Sequence, residues 1–177
     1  MSGTAAGATL CQPFGRSRVP AVHGARRSAS AQARAPVAFI DMEQTRYDIR
    51  GGLDLDGPIS SLKASGSVVD YEHTEFEGPG EPGTHFTNEG WEARLEAGHA
   101  PIGLLEGSVG LQASKRDFAA IGDEALIGPT TTKATGLFAF ETWDAGAWGV
   151  EGGLRYDDVD IDNIDFGQRN YEAWNAS

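Results

Sequence analysis

From Arg46 onward the sequence alternates apolar and polar side chains with a period of two. A half-buried β-strand satisfies that pattern and an amphipathic helix does not. Residues 46–55 place Tyr47, Ile49, Gly51, Leu53 and Leu55 on one face and Arg46, Asp48, Arg50, Gly52 and Asp54 on the other. The same reading gives strands over 61–71, 88–98, 104–116, 132–142 and 147–158, and the opening of another over 171–177. In 88–98 the apolar face is Trp91, Ala93, Leu95 and Ala97; in 104–116 it is Leu105, Gly107, Val109, Leu111 and Ala113. In 132–142 the apolar face reads as Ala134, Gly136, Phe138 and Phe140, although Leu137 and Ala139 blur the opposite one. The only helical candidate, Phe118–Leu126, is short and contains Gly122, so it lacks the length to nucleate. The expected fold is therefore all-β, an antiparallel up-and-down meander of about six or seven strands.

The connections give the meander a direction. Short turns are expected near 56–60, 99–103 and 143–146, and long loops over 72–86, 117–131 and 159–170. The run Gly78-Pro79-Gly80-Glu81-Pro82-Gly83 reads as irregular, because Pro withholds a ladder donor and Gly favours turns. Short turns at one end and long loops at the other is the layout of outer-membrane β-barrels. Trp148 and Tyr156 share a face eight residues apart, about 26 Å of strand. On a tilted strand that approaches the apolar height of such a barrel, roughly 25 Å between aromatic girdles. The opposite faces carry both signs of charge, as in Arg46-Asp48-Arg50 and Glu92-Arg94-Glu96, and need water or matched partners. A polar lumen supplies both. A soluble β-sandwich binding carbohydrate or protein, with Trp91 and Trp148 in its core, is the alternative that the alternation alone leaves open.

Charge divides the chain. Residues 1–40 contain five arginines and no acid; the nine basic and 26 acidic residues that follow give the remainder a net charge of −17. Residues 1–38 are rich in Ala, Ser, Gly and Arg and read as a disordered basic leader, foreign to the domain that follows. They lack the apolar core of a secretory signal. The acidic remainder argues against a nucleic-acid partner, which needs clustered Lys and Arg. The lone cysteine, Cys11, rules out a disulfide framework and a cysteine-based zinc cluster.

Four stretches, "IDMEQTRYDIRG", "EFEGPGEPGTHFTNEGWEARLEAGHAPIG", "GSVGLQASKRDFAAIGDEALIGPTTTKATGLFAFE" and "WGVEGGLRYDD", resemble the barrel of TonB-dependent outer-membrane receptors, in particular a branch linked to zinc uptake. The resemblance covers about 39–177, and its most specific block is Phe118–Phe140, which the family places in an outer loop running into the next strand. It implies a partial transmembrane β-barrel in the cell outer membrane, with lipid as a partner and the TonB system as partner of the full-length parent. Plugged transporters of this kind have about 22 strands. Six or seven strands without a plug imply a fragment that does not transport alone.

Candidate chemistry is sparse. His73 and His85, with Glu75, Glu77 and Glu81 between them, are candidate metal ligands in an outer loop, since His and carboxylate donors suit zinc. Zinc or a metal complex would then be transported ligand rather than cofactor. His99 reads as a surface histidine in a turn. Asp157, Asp158, Asp160, Asp162 and Asp165 lack the glycine and closing glutamate of a calcium loop and read as an acidic rim. No nucleophile–base pattern or phosphate loop is present, so no enzyme activity and no catalytic residue are expected.

Overall fold

The computed structural model describes residues 39–78, 80–122 and 125–177 in full, together with the backbone pairing of 6–11 and 17–18. The described residues contain strands and turns but no helix. Two short strands, β1 (Ala6–Cys11) and β2 (Ser17–Arg18), precede seven long ones: β3 (Phe39–Asp54), β4 (Ile59–Gly78), β5 (Glu81–His99), β6 (Leu105–Ile121), β7 (Thr130–Asp144), β8 (Gly149–Asn163) and β9 (Gly167–Ala176). β3 to β9 form one antiparallel meander in which each strand pairs with the next in sequence. All seven expected strands are present. The reading of 1–38 as a disordered leader lies outside the described residues except at β1 and β2, whose backbones pair antiparallel with β3.

The strands are longer than the apolar alternation indicates. The stretch 72–86, expected as a long loop, is a continuation of the β4/β5 hairpin, in which Gly78 pairs with Glu81 and Gly80 has φ +81°. Pro82 is accommodated because the ladder shifts register around Phe76, and an irregularity of that kind removes the need for its missing N–H. The expected loop 159–170 likewise shrinks to a turn at 164–166, with Gly167 at φ +70°. Ladder bonds need only extended backbone and a partner, so a strand continues where its side chains have turned polar.

The phase of β7 differs from its sequence reading. Leu111 pairs with Leu137 and Val109 with Ala139, so Leu137 and Ala139 stand on the apolar face, while Phe138 and Phe140 join the polar one. The physical reason is a crossing over glycine. The Phe138 ring lies over Gly110, where any Cβ would collide with it, and stacks beneath the Arg94 guanidinium at 3.9 Å. Such a contact contributes roughly 0.5–1 kcal/mol at an exposed site. Gly110→Val should displace Phe138 and destabilise the fold by about 1–3 kcal/mol, despite valine's better strand propensity. Urea unfolding measures it; an unchanged or raised midpoint contradicts the crossing.

Candidate functional site

The ladder assembles the apolar face row by row. Gly51, Ala64, Leu95, Leu111, Leu137, Tyr156 and Trp174 lie side by side across β3 to β9. The next row on that face is Leu53, Leu62, Ala97, Val109, Ala139, Leu154 and Ala176. Neither row contains a polar side chain capable of ionising below the tyrosine range. These side chains stand free of other protein: Val109 is 54% exposed, Leu137 54% and Trp174 68%. Ala120 is the one buried hydrophobic side chain among the described residues. The apolar content therefore coats a surface rather than filling a core, and a contiguous patch of this extent marks an interaction surface.

The band has definite edges. On β3, β4 and β5 it reaches Tyr47, Val68 and Trp91, which share a row; on the same row β6, β7 and β8 carry Lys115, Lys133 and Asp160. One row further, Thr45, Asp70, Glu89, Asp117, Thr131 and Asp162 are polar throughout. On β7, β8 and β9 the band stops at Leu137, Tyr156 and Trp174; at its other edge β7 carries Glu141, in a row with Gly107 and Gly152, and Trp143 and Val150 share the row beyond it. Its upper edge thus drops four residues between β3 and β9. That is roughly 13 Å along the strands over about 29 Å across six strand spacings, a slope of about 25° to the ladder. Tyr47, Trp91, Tyr156 and Trp174 border the upper edge, and Trp143 the lower one. Tyr156 and Trp174 are in contact, with ring centroids 4.9 Å apart.

The reverse face neutralises its own charge. Arg46 binds Asp48 at 2.8 Å, Arg94 binds Glu96 at 2.8 Å and Arg155 binds Asp157 at 2.6 Å, each pair two residues apart on one strand. Arg155 also crosses β7 over Gly136, which leaves room for its guanidinium, and donates to Gln112 Oε1 at 3.2 Å. Lys63 adds a looser contact to Glu96 at 3.8 Å.

The candidate metal residues do not converge. His73 pairs with Phe86 and Thr74 with His85, which puts the two histidines in adjacent rows on opposite faces. His73 stacks on Phe86 at 4.5 Å, and His85 Nδ1 contacts Thr74 Oγ1 at 3.0 Å. Each has one carboxylate nearby, Glu75 at 3.7 Å from His73 and Glu72 at 3.9 Å from His85. Among the described residues no group of three or more His, Cys, Asp or Glu is arranged to hold a metal ion. The aspartates of β8 alternate: Asp157 faces Arg155, while Asp158 and Asp160 accept from Asn170 Nδ2 at 2.6 and 3.1 Å. His99 closes β5 rather than sitting in the turn. Its Nδ1 faces Ala100 O at 2.8 Å and its Nε2 faces Glu141 Oε2 at 3.0 Å.

Sequence reasoning overlooked Asn163. It is 6% exposed, donates to Gly128 O and Thr130 Oγ1, and accepts from the Asp165 and Phe166 amides. It ties the end of the 122–129 connection to the 164–166 turn. An asparagine followed two residues later by aspartate and four residues later by a turn glycine is the local signal that identifies such an anchor.

No family model and no curated protein sequence matches the chain.

Above the apolar band, Asp117 accepts from Lys115 Nζ at 2.7 Å and from Thr131 Oγ1 at 2.6 Å. The Lys115 bond first, and the Thr131 bond after it, hold its carboxyl below the usual carboxylate range. Its stabilising contribution is fully present above the ordinary carboxylate pKa and is lost as pH falls through the lowered folded value. The side chain is 45% exposed, so that contribution is small. Lys115→Met should move the Asp117 titration upward, read by carboxyl NMR; an unmoved titration contradicts the pairing.

Proposed function

We propose that residues 39–177 are a wall segment of an outer-membrane β-barrel of the TonB-dependent receptor type, whose parent takes up a scarce ligand such as a metal complex. One observation carries the reading: an unbroken apolar band crosses seven consecutive strands on one face while the other face carries self-matched charge. Lipid is the environment that such a band requires, and a hydrated lumen is what the reverse face requires. The slope of the band supports this further. A bilayer is level, and strands in a barrel tilt by about 35–45°, so a level apolar zone crosses the ladder obliquely. The slope of about 25° has that character, and the aromatic residues at both edges match interfacial girdles.

Strand length also fits. About 9–11 residues span a bilayer, and β4 and β5, with 20 and 19 residues, exceed that. The excess is the polar hairpin above Tyr47 and Trp91, which on this reading stands outside the membrane. A sandwich would bury the apolar face beneath a second sheet; the described strands form a single sheet with that face uncovered. The resemblance in the four stretches quoted above names the receptor type. Transport, TonB coupling and the metal complex belong to the parent on this proposal, and the segment supplies wall rather than gate.

Val109→Arg and Ser114→Arg separate the two faces. Val109 lies mid-band, whereas Ser114 lies on the charged face opposite Glu92. In lipid bilayers Val109→Arg should cost about 2–4 kcal/mol of folding free energy and Ser114→Arg close to none. Equal costs, or a wild-type chain that is monodisperse and melts cooperatively without detergent, overturn the proposal.

A further inference from the structure

The edge of β3 away from β4 is not bare. Ala6, Ala8 and Leu10 stand opposite Leu53, Gly51 and Ile49, and Cys11 stands opposite Asp48. Further along, Ser17 and Arg18 stand opposite Met42 and Asp41. Ser17 comes eleven residues after Ala6, and its partner Met42 comes eleven residues before Leu53, so the two leader segments keep one register along β3. That shared register is hard to reconcile with two unrelated chance contacts, because each independent pairing is free to slip.

The sequence pattern agrees with it. The leader residues opposite the apolar-face positions Leu53, Gly51 and Ile49 are Ala, Ala and Leu; those opposite Gly52, Arg50 and Asp48 are Gly, Thr and Cys. The leader therefore repeats the alternation of the strand that it pairs with, in phase. Its composition also suits an edge, since it adds no acid to a sheet with a large acidic excess.

We propose that Ala6–Cys11 and Ser17–Arg18 of the leader together supply the eighth strand position of this sheet, occupying the β3 edge in cis, rather than being an appendage. The inference stands independently of what the apolar band faces. Its consequence is one of parity. With seven strands the two outer strands, β3 and β9, run in the same direction; with the leader strand added, the outer strands run in opposite directions. Eight strands are the even, antiparallel-compatible count that closed barrels use. An occupied β3 edge also leaves that strand closed to strand addition from another chain, the hazard of any bare edge.

Cys11 makes the register testable in the full chain, because no other cysteine is present. Directly opposed residues of an antiparallel pair have Cα atoms about 4.5–5.5 Å apart, within the range that a disulfide bridges. Asp48→Cys should form an intrachain disulfide under mild oxidation, at least about tenfold faster than Asn175→Cys on β9, at a rate independent of protein concentration. Since Asp48 pairs with Arg46, a second pair guards against a folding defect: Ala8→Cys with Gly51→Cys in a Cys11→Ser background, which should bridge equally well. Equal rates for Asp48→Cys and Asn175→Cys, or disulfides only between chains, overturn the proposal.

Discussion

The antiparallel ladder from β3 to β9 fixes which side chains stand beside one another, and the rest of the molecule depends on it. Seven separate runs of alternating residues carry no surface of their own. Held in register, they become two rows in which every strand contributes an apolar residue or glycine. A slip of one residue in any strand would send that strand's apolar set to the charged face. The burial that normally enforces register is missing, since almost nothing is enclosed. Register is held instead by turns, by cross-strand side-chain contacts and by the solvent each face demands.

The charged face shows how those contacts work without a core. Arg46, Arg94 and Arg155 each take a carboxylate two residues along the same strand. Such pairs satisfy charge but tie nothing together. Links between strands two apart come where the strand between them carries glycine: Phe138 passes over Gly110 to Arg94, and Arg155 passes over Gly136 to Gln112. These crossings lock β5 to β7 and β6 to β8, pairs that share no ladder bond. Missing side chains thus serve as passages, and they set which face β7 turns toward the apolar side.

Much of this was legible in the sequence. Period-two alternation is a direct consequence of strand geometry, so seven strands and the phases of five of them follow from it. The phase of β7 did not, because Phe138 and Phe140 look like the apolar face until Gly110 and Arg94 are known to be their neighbours. The loop boundaries failed for a related reason. Gly78, Pro82 and the aspartates of β8 signal irregularity locally, yet a ladder with a register shift accommodates the proline and a neighbouring strand accommodates the acids. His73 and His85 looked like a pair because a loop lets residues converge; in a hairpin their positions commit them to opposite faces. The leader carried its information in phase with β3, which is visible only once the register of both is known.

Side-chain accessibility along β6 tests the central claim most directly. Spin labels placed singly at 108, 109 and 111–117 in a Cys11→Ser background, in lipid-reconstituted protein, report contact with oxygen, which favours lipid, against a polar paramagnet, which favours water. Oxygen contact should peak at Val109, Leu111 and Ala113, with water contact at Ser108, Gln112 and Ser114, and the odd positions should turn aqueous at Lys115 and Asp117. Water contact at both odd and even positions, or at neither, would contradict a lipid-facing band.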